Sequence, residues 1–540
     1  MGLENALPES HEFSMLLHSY IEHGNREGLA RLAQIWSPAI DEDGLMGDAL
    51  HRFIFTGDEA AVRIILGAGV SPTVVSCSDP NYTPLLTAAD AGHREIARLL
   101  WKLVGPEGRS YPKHRTCLQV AAGKGHADLV ADLLDIWDGW PMDEKCAALN
   151  AAAAQWHDNV VGLLVAKVPY EAGAVQFALE LSVTRGPILP VRLFVSREPI
   201  TTPEVDLRLQ RVVCRLIEAG ADPDWKAFNN KVPLLHFAAL SGHRIGSVKG
   251  LLEKGANPNI QDQSGKTVLH QLFRRPLSSK AGAGLRALLD HGASPELVDE
   301  AVETGLHAAA HTGTLEHLQL CLAACRDADA AIRRRTSHGE SLLHYSAAGG
   351  REDIVEFLLS RGLDVNQANA NGWTPLVCAL MPTSVKRCYP HYSLASLLLR
   401  HGASARVVTD EGWTALHGLA SYPSANRGLS AEVWEGVAPL VKELISHGAP
   451  LETESSVLLG RSVTTRTLTS DDAWGIRMRW FAQKAAASLT SSSASASSAR
   501  DALVFADRDT APHMWAYRTG AMEVFETILA HWASVSEAEN

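Results

Sequence analysis

One pattern of residues returns along this chain at intervals near 33, and a single segment of that length cannot bury its own apolar face. The pattern reads T-x-L-H-x-A-A-x-x-G-H-x-x-I-V-x-L-L-x-x-G-A-x-x-N. Clear copies begin at Thr83 (TPLLTAADAGHREIARLL), Thr116 (TCLQVAAGKGHADLVADLL) and Pro233 (PLLHFAALSGHRIGSVKGLLEKGANPN), then at Thr267, Thr304, Ser341, Thr374 and Thr414. Weaker copies place Met15, Asp48 and Ala147 at the Thr position. Successive intervals from Met15 are 33, 35, 33 and 31 residues, and Ser341 to Thr374 is again 33. Such a chain is expected to fold by stacking its copies, so that each covers the next.

Each position of the pattern has a local reason. Thr or Ser at the start suits a helix N-cap, whose side-chain oxygen accepts from an otherwise unpaired N–H, and Pro84 and Pro375 suit the first helical turn. Leu and Ala at helical spacing give a narrow packing stripe, with Ala letting neighbouring helices approach closely. Gly92, Gly125 and Gly242 are placed to end the first helix in the left-handed conformation. A second helix carries I-V-x-L-L, and Gly220, Gly255, Gly292, Gly402 and Gly448 close it. Polar runs such as Asp262-Gln263-Ser264-Gly265 and Asn369-Ala370-Asn371-Gly372 then reverse the chain as a hairpin tip.

This period with these residues resembles the ankyrin-repeat family, over about residues 12–450, with one degenerate copy near the C-terminus. The resemblance implies a mainly α ankyrin-repeat solenoid, built of helix–turn–helix units with β-hairpin fingers. It also implies a partner-binding role for the concave face formed by first helices and fingers. In the family the LH histidine bonds to the backbone of the helix start and the adjacent loop. Here that position holds His18, His51, His236, His270, His307, His344 and His417. His93, His126, His157 and His243 stand at the GH position, and His291, His401 and His447 precede the closing Gly. Histidines so placed are expected to be structural, and no metal site is expected of them.

Composition narrows the function classes. A formal charge of −12 and a pI near 6.0 disfavour whole-surface attraction to nucleic acid or anionic membrane. No signal peptide is read at the N-terminus, and no apolar run reaches the ~18 residues of a membrane span. The eight cysteines form no CxxC pair, and Cys321 and Cys325, four apart, are expected to be buried small hydrophobes. A reducing cytoplasmic location fits, with the nucleus as alternative. No phosphate-binding glycine loop, dinucleotide motif, nucleophile elbow or HExxH pair is present. The expectation is therefore a non-enzymatic, monomeric chain with a protein partner and no cofactor.

The breaks in the period mark where this chain is not generic. Leu343 to Gly362 spans 19 residues, but Leu269 to Gly292 spans 23, Leu376 to Gly402 spans 26 and Leu416 to Gly448 spans 32. The extra residues fall between the two helices of a unit and include Arg274, Arg275 and Lys280, then Lys386, Arg387, Tyr389, His391 and Tyr392, then Tyr422 and Arg427. Basic and aromatic insertions along one edge of an acidic protein are suited to an acidic partner segment, although solenoid loops also tolerate insertion without function. A longer insertion lies near 183–205. Trp373 and Trp413, in the GWT that precedes a helix, are candidates for exposed partner contacts, or pack against the neighbouring finger.

The repeat signal fades after 450. Residues 451–484 form an irregular segment with a helix bearing Trp474, Met478 and Trp480, and 485–500 are an Ala/Ser-rich flexible linker. Residues 501–540 read as a degenerate terminal repeat or capping helices. Three functions are compatible with this organisation: an interaction scaffold or adaptor, a substrate adaptor of a ubiquitin ligase, and an enzyme or enzyme partner with a pocket near the insertions.

Overall fold

The computed structural model describes residues 10–36, 44–75, 82–109, 115–185, 203–227, 232–240, 245–273, 281–380, 391–410, 412–420, 437–450 and 527–528. Most of each insertion, all of 451–484 and 485–500, and nearly all of 501–540 lie outside these residues. The fold is mainly helical, as the pattern required. It divides into two compact units, Met1–Asn257 and Pro258–Asn540. Each repeat is named below by the leucine at its LH position.

The first unit stacks seven helix pairs, of the Leu17, Leu50, Leu85, Leu118, Leu149, Leu179 and Leu235 repeats. In the Leu85 repeat the first helix is Pro84–Ala91 and the second Arg94–Val104. Thr83 caps the first by accepting from Leu86 N, and Gly92 ends it with φ +80°. Leu85, Leu86, Ala88, Ala89, Ile96, Ala97 and Leu100 are all buried, so the narrow Leu/Ala stripe is the packing face. On the outer wall Asp132 joins neighbouring second helices, accepting from Arg94 Nε at 2.6 Å and Arg98 Nη2 at 2.8 Å. The Arg94 guanidinium, and after it Arg98, hold this carboxyl below the ordinary range against the opposing cost of burial.

The second unit stacks the Leu269, Leu306, Leu343, Leu376 and Leu416 repeats, with first helices such as Leu342–Ala348 and second helices such as Glu352–Ser360. Here the connections between repeats are the hairpin fingers the turn residues foretold. Asp262 Oδ1 accepts from Ser264 N and Lys266 N, and Asn369 Oδ1 accepts from Asn371 N and Trp373 N. Gly265, Gly339, Gly372 and Gly412 supply positive φ at the tips. The Asn that closes the pattern reaches the next repeat: Asn259 accepts from Ser294 N and donates to Gly292 O, and Asn366 does the same with Ser404 and Gly402.

The glycine at the end of a first helix has a second role that the sequence does not show. A Cβ built on Gly92 would lie 2.5 Å from the His126 ring, and one on Gly125 would lie 2.6 Å from His157. The imidazole of the following repeat occupies that space and donates from Nε2 to a first-helix carbonyl: His93 to Phe55 O, His126 to Asp90 O and His157 to Gly123 O. In the second unit Arg351 stands at the same position and does the same work, donating from Nη2 to Thr312 O at 2.9 Å.

Two repeats of the first unit lack fingers. Only residues 137–141 connect the Leu118 and Leu149 repeats, and only 168–171 connect Leu149 and Leu179, against 361–374 between Leu343 and Leu376. The first helices grow to 13 residues at their N-terminal ends, Met142–Ala154 and Ala172–Thr184. Packing lost with the finger is replaced by three tryptophans, Trp101, Trp137 and Trp140, with ring centroids 5.1–5.9 Å apart.

Gly92→Ala is expected to destabilise the first unit by about 2 kcal/mol or more, through left-handed strain and the clash with His126. Gly67→Ala, helical and with open space around the new methyl, is expected to be neutral or slightly stabilising. Urea unfolding followed by circular dichroism separates the two, and equal effects would contradict the packing role.

Candidate partner-binding face

The surface built by first helices and fingers rests on a repeated imidazole bridge. In the second unit Nδ1 of His270, His307, His344 and His417 accepts from the N–H of the capping residue, Thr267, Thr304, Ser341 and Thr414, at 3.1–3.2 Å. Nε2 of His270 then donates to Glu303 O, and Nε2 of His344 to Trp373 O, both at 3.0 Å. One neutral ring thus ties a helix start to the arm of the next finger. Burial lowers both deeper rings, His344 to about 4 and His307 to about 3. A second proton would also bring an N–H on Nδ1 against the donor it now accepts from.

The bridge aligns the fingers, and the fingers bond in series. Glu300 N donates to Ser264 O, Ser337 N to Ala301 O, Ala370 N to His338 O and Asp410 N to Asn371 O, at 2.8–3.2 Å. The tips therefore form a fixed row, from which Gln263, Glu300, His338, Asn371 and Asp410 present exposed side chains. Fixing the row in the free protein removes ordering cost from any encounter.

The structure reassigns two of the candidate contacts. Trp373 is 4% exposed and Trp413 fully buried, their rings stacked with centroids 6.4 Å apart and planes at 27°. Each is the last residue of a finger arm, where its carbonyl accepts from Asn369 N or Thr409 N and its ring is driven under the adjoining finger. They pack rather than meet a partner. Tyr392 opens the second helix of the Leu376 repeat and is half-buried. Arg274, Arg275, Lys386, Arg387 and Tyr389 lie outside the described residues.

One residue on this face escaped the sequence reading. Among the described residues only Trp156 and Val302 combine a side chain with positive φ, each at +60°. Both stand where sibling repeats carry Gly. Trp156 is buried, and its Nε1 donates to Ser182 O at 2.9 Å, so packing offsets the strain. Val302 sits at a fingertip, aligned with Gly265, Gly339 and Gly372, and is 38% exposed. A β-branched residue there costs on the order of 1–2 kcal/mol. The Val-for-Gly exchange in the DEAVET finger was the available signal.

Among the described residues no three His, Cys, Asp or Glu side chains gather as metal ligands, and no helix is long and apolar enough to cross a membrane. Burial pushes the Cys321 thiol up to about 12 and Cys325 to about 11, which leaves both as unreactive thiols at neutral pH.

Stacked helix pairs, serial fingers and their imidazole bridges define a repeat scaffold. Models of the ankyrin repeat match residues 233–263, and models of ankyrin repeats in three copies match 277–369 and 306–388. The chain contains ankyrin repeats. It is 31% identical over 109 residues to the RelA-associated inhibitor of Mus musculus, 20% of this chain and 12% of that one. It is 32% identical over 87 residues to the palmitoyltransferase ZDHHC13 of Homo sapiens (16% and 13%), and 28% over 175 to protein glp-1 of Caenorhabditis elegans (31% and 13%). The chain thus spans about an eighth of the length of these relatives. Among solved structures, the ankyrin repeat domain of Bcl-3 aligns at 24% identity with a TM-score of 0.29, covering 41% of this chain and 89% of that one.

Because the folded rings at His344 and His307 resist protonation, stability is complete above the unfolded histidine value near 6.5 and falls as pH drops through about 4 and then 3. His344 alone is expected to contribute on the order of 3 kcal/mol across that window. His344→Asn should lower the urea midpoint at pH 7 and flatten its dependence between pH 6.5 and 4; an unchanged slope would remove His344 from the account.

Proposed function

We propose that this chain is a protein-interaction scaffold that holds a macromolecular partner against its fingers and first helices. The observation that carries the reading is Val302, an exposed apolar side chain kept in a strained conformation at the tip of a pre-aligned finger row. Backbone strain kept at an exposed apolar residue is expected where the side chain serves an external contact. The ankyrin repeats themselves support a binding role, and the local matches to the relatives above support it only at that coarse level. The basic and aromatic insertion residues belong to the same reading, as a second contact edge for an acidic segment of the partner. The chain works as a monomer in a reducing compartment, without a cofactor.

Val302→Gly separates stability from function. It should raise the urea midpoint, by about 1 kcal/mol of stability, while lowering capture of the partner in affinity purification with mass spectrometry. Replacing Arg274, Arg275, Lys280, Lys386, Arg387 and Arg427 with Ser should weaken capture by the full chain as well. Equal capture by wild type and both variants would sink the proposal, as would absence of any stable partner combined with turnover of a small molecule.

A further inference from the structure

The repeats without fingers expose a surface that their siblings cover. Two residues before the LH leucine, sibling repeats place the helix cap, and it is buried: Thr83, Thr116, Thr267, Thr304, Ser341, Thr374 and Thr414. In the Leu179 repeat the first helix runs on through that position to Ala172, so no cap is needed, and the position holds Phe177 at 51% exposure. Only residues 168–171 precede the helix, so no finger from that side is available to cover it.

A second aromatic stands beside it. Trp225, 36% exposed, lies in the turn that follows the helix Pro203–Glu218. Two contacts hold this turn on the Phe177 helix. Gln176 accepts from Asp222 N at 2.7 Å and donates to Asp222 O at 3.4 Å, and Trp225 Nε1 donates to Glu180 Oε2 at 3.2 Å. Phe177 follows Gln176 and stands one helical turn before Glu180, so its ring lies beside the turn that carries Trp225, and the two aromatics border one ledge. Around it stand the carboxylates of Glu180, Asp222 and Asp224, of which Asp222 is exposed. Asp224 accepts from Asn257 N at 2.7 Å and so is partly engaged. Among the described residues of the turn Lys226 is the one cation.

We infer that this ledge docks a basic segment of a protein partner, one that carries Arg or Lys beside an apolar side chain. Aromatic faces attract such cations, and each gains further from a neighbouring carboxylate, Arg in bidentate geometry. Nucleic acid and anionic membrane are repelled by the same carboxylates. The inference rests on the reading of the chain as an interaction scaffold, but it uses a different surface from the Val302 finger and a partner segment of opposite charge to the one suited to the insertions.

The test is fluorescence anisotropy of the full chain with two labelled twelve-residue peptides, one of Arg, Lys and Leu, the other with Glu in place of each cation. The basic peptide should bind, more weakly as salt rises, and the acidic one should not. Phe177→Ser combined with Trp225→Ser should weaken binding at least about tenfold. Binding of neither peptide, equal binding of both, or full binding by the folded double variant would overturn the inference. So would wild-type dimerisation in sedimentation that the double variant abolishes, since a second copy would then fill the ledge. If the double variant loses the peptide yet the Val302 finger still governs partner capture, the two surfaces are independent; if capture fails to depend on Val302 while the peptide result holds, only the finger reading is lost.

Discussion

A 33-residue unit with one apolar stripe has no stable life alone, so everything in this molecule depends on how one repeat grips the next. Leucine and alanine supply the burial, but burial is non-directional and would tolerate sliding. Direction comes from neutral imidazoles. At the start of a first helix the ring accepts from its own cap and donates to the next finger, as in His270 and His344. At the end of that helix another histidine reaches back from the following repeat, into space that only Gly leaves open. The cap bonds are buried and those of His126 and His157 half-buried, where a misaligned partner would leave a polar group unsatisfied. The register of the stack is fixed by that penalty.

The places where the grammar is broken are informative because the rest is so regular. Arg351 replaces a histidine yet reaches the same kind of carbonyl, so the bond matters and the residue type does not. Trp156 replaces a glycine, and the next repeat, which carries no GH histidine, leaves room for its ring and offers Ser182 O to its N–H. Thr374 shows the opposite case: Val377 occupies the LH position, and the buried Thr374 hydroxyl finds no hydrogen-bond partner. Val302 differs from these in keeping an apolar side chain partly exposed at a positive-φ position.

Rigidity and variation are thus divided between different parts of each repeat. Helix stripes, caps, imidazoles and closing asparagines are used to build the frame. Fingertips, connections and the faces they cover or uncover are where this chain departs from its own average. A scaffold that holds such departures in fixed relative positions within a unit meets a partner with little ordering left to do. The first unit exposes an acidic aromatic ledge where fingers are missing, and the second exposes a bonded row of tips.

Much of this was legible in the sequence. Period, caps, left-handed glycines, hairpin turns and the structural role of most histidines follow from local rules that act within a few residues, and those rules leave direct marks at fixed spacing. What only the tertiary structure decided concerns contacts between residues some 30–45 positions apart. Trp373 and Trp413 read equally as contact or core residues until the adjoining finger closed over them. The 31-residue step to Ala147 looked like an ordinary repeat, though it hid the loss of a finger and an extra helical turn. Phe177 carried no signal at all, because its exposure depends on a segment that is absent. Periodicity records what every repeat must do for itself; what one repeat does for another is settled only when their backbones meet.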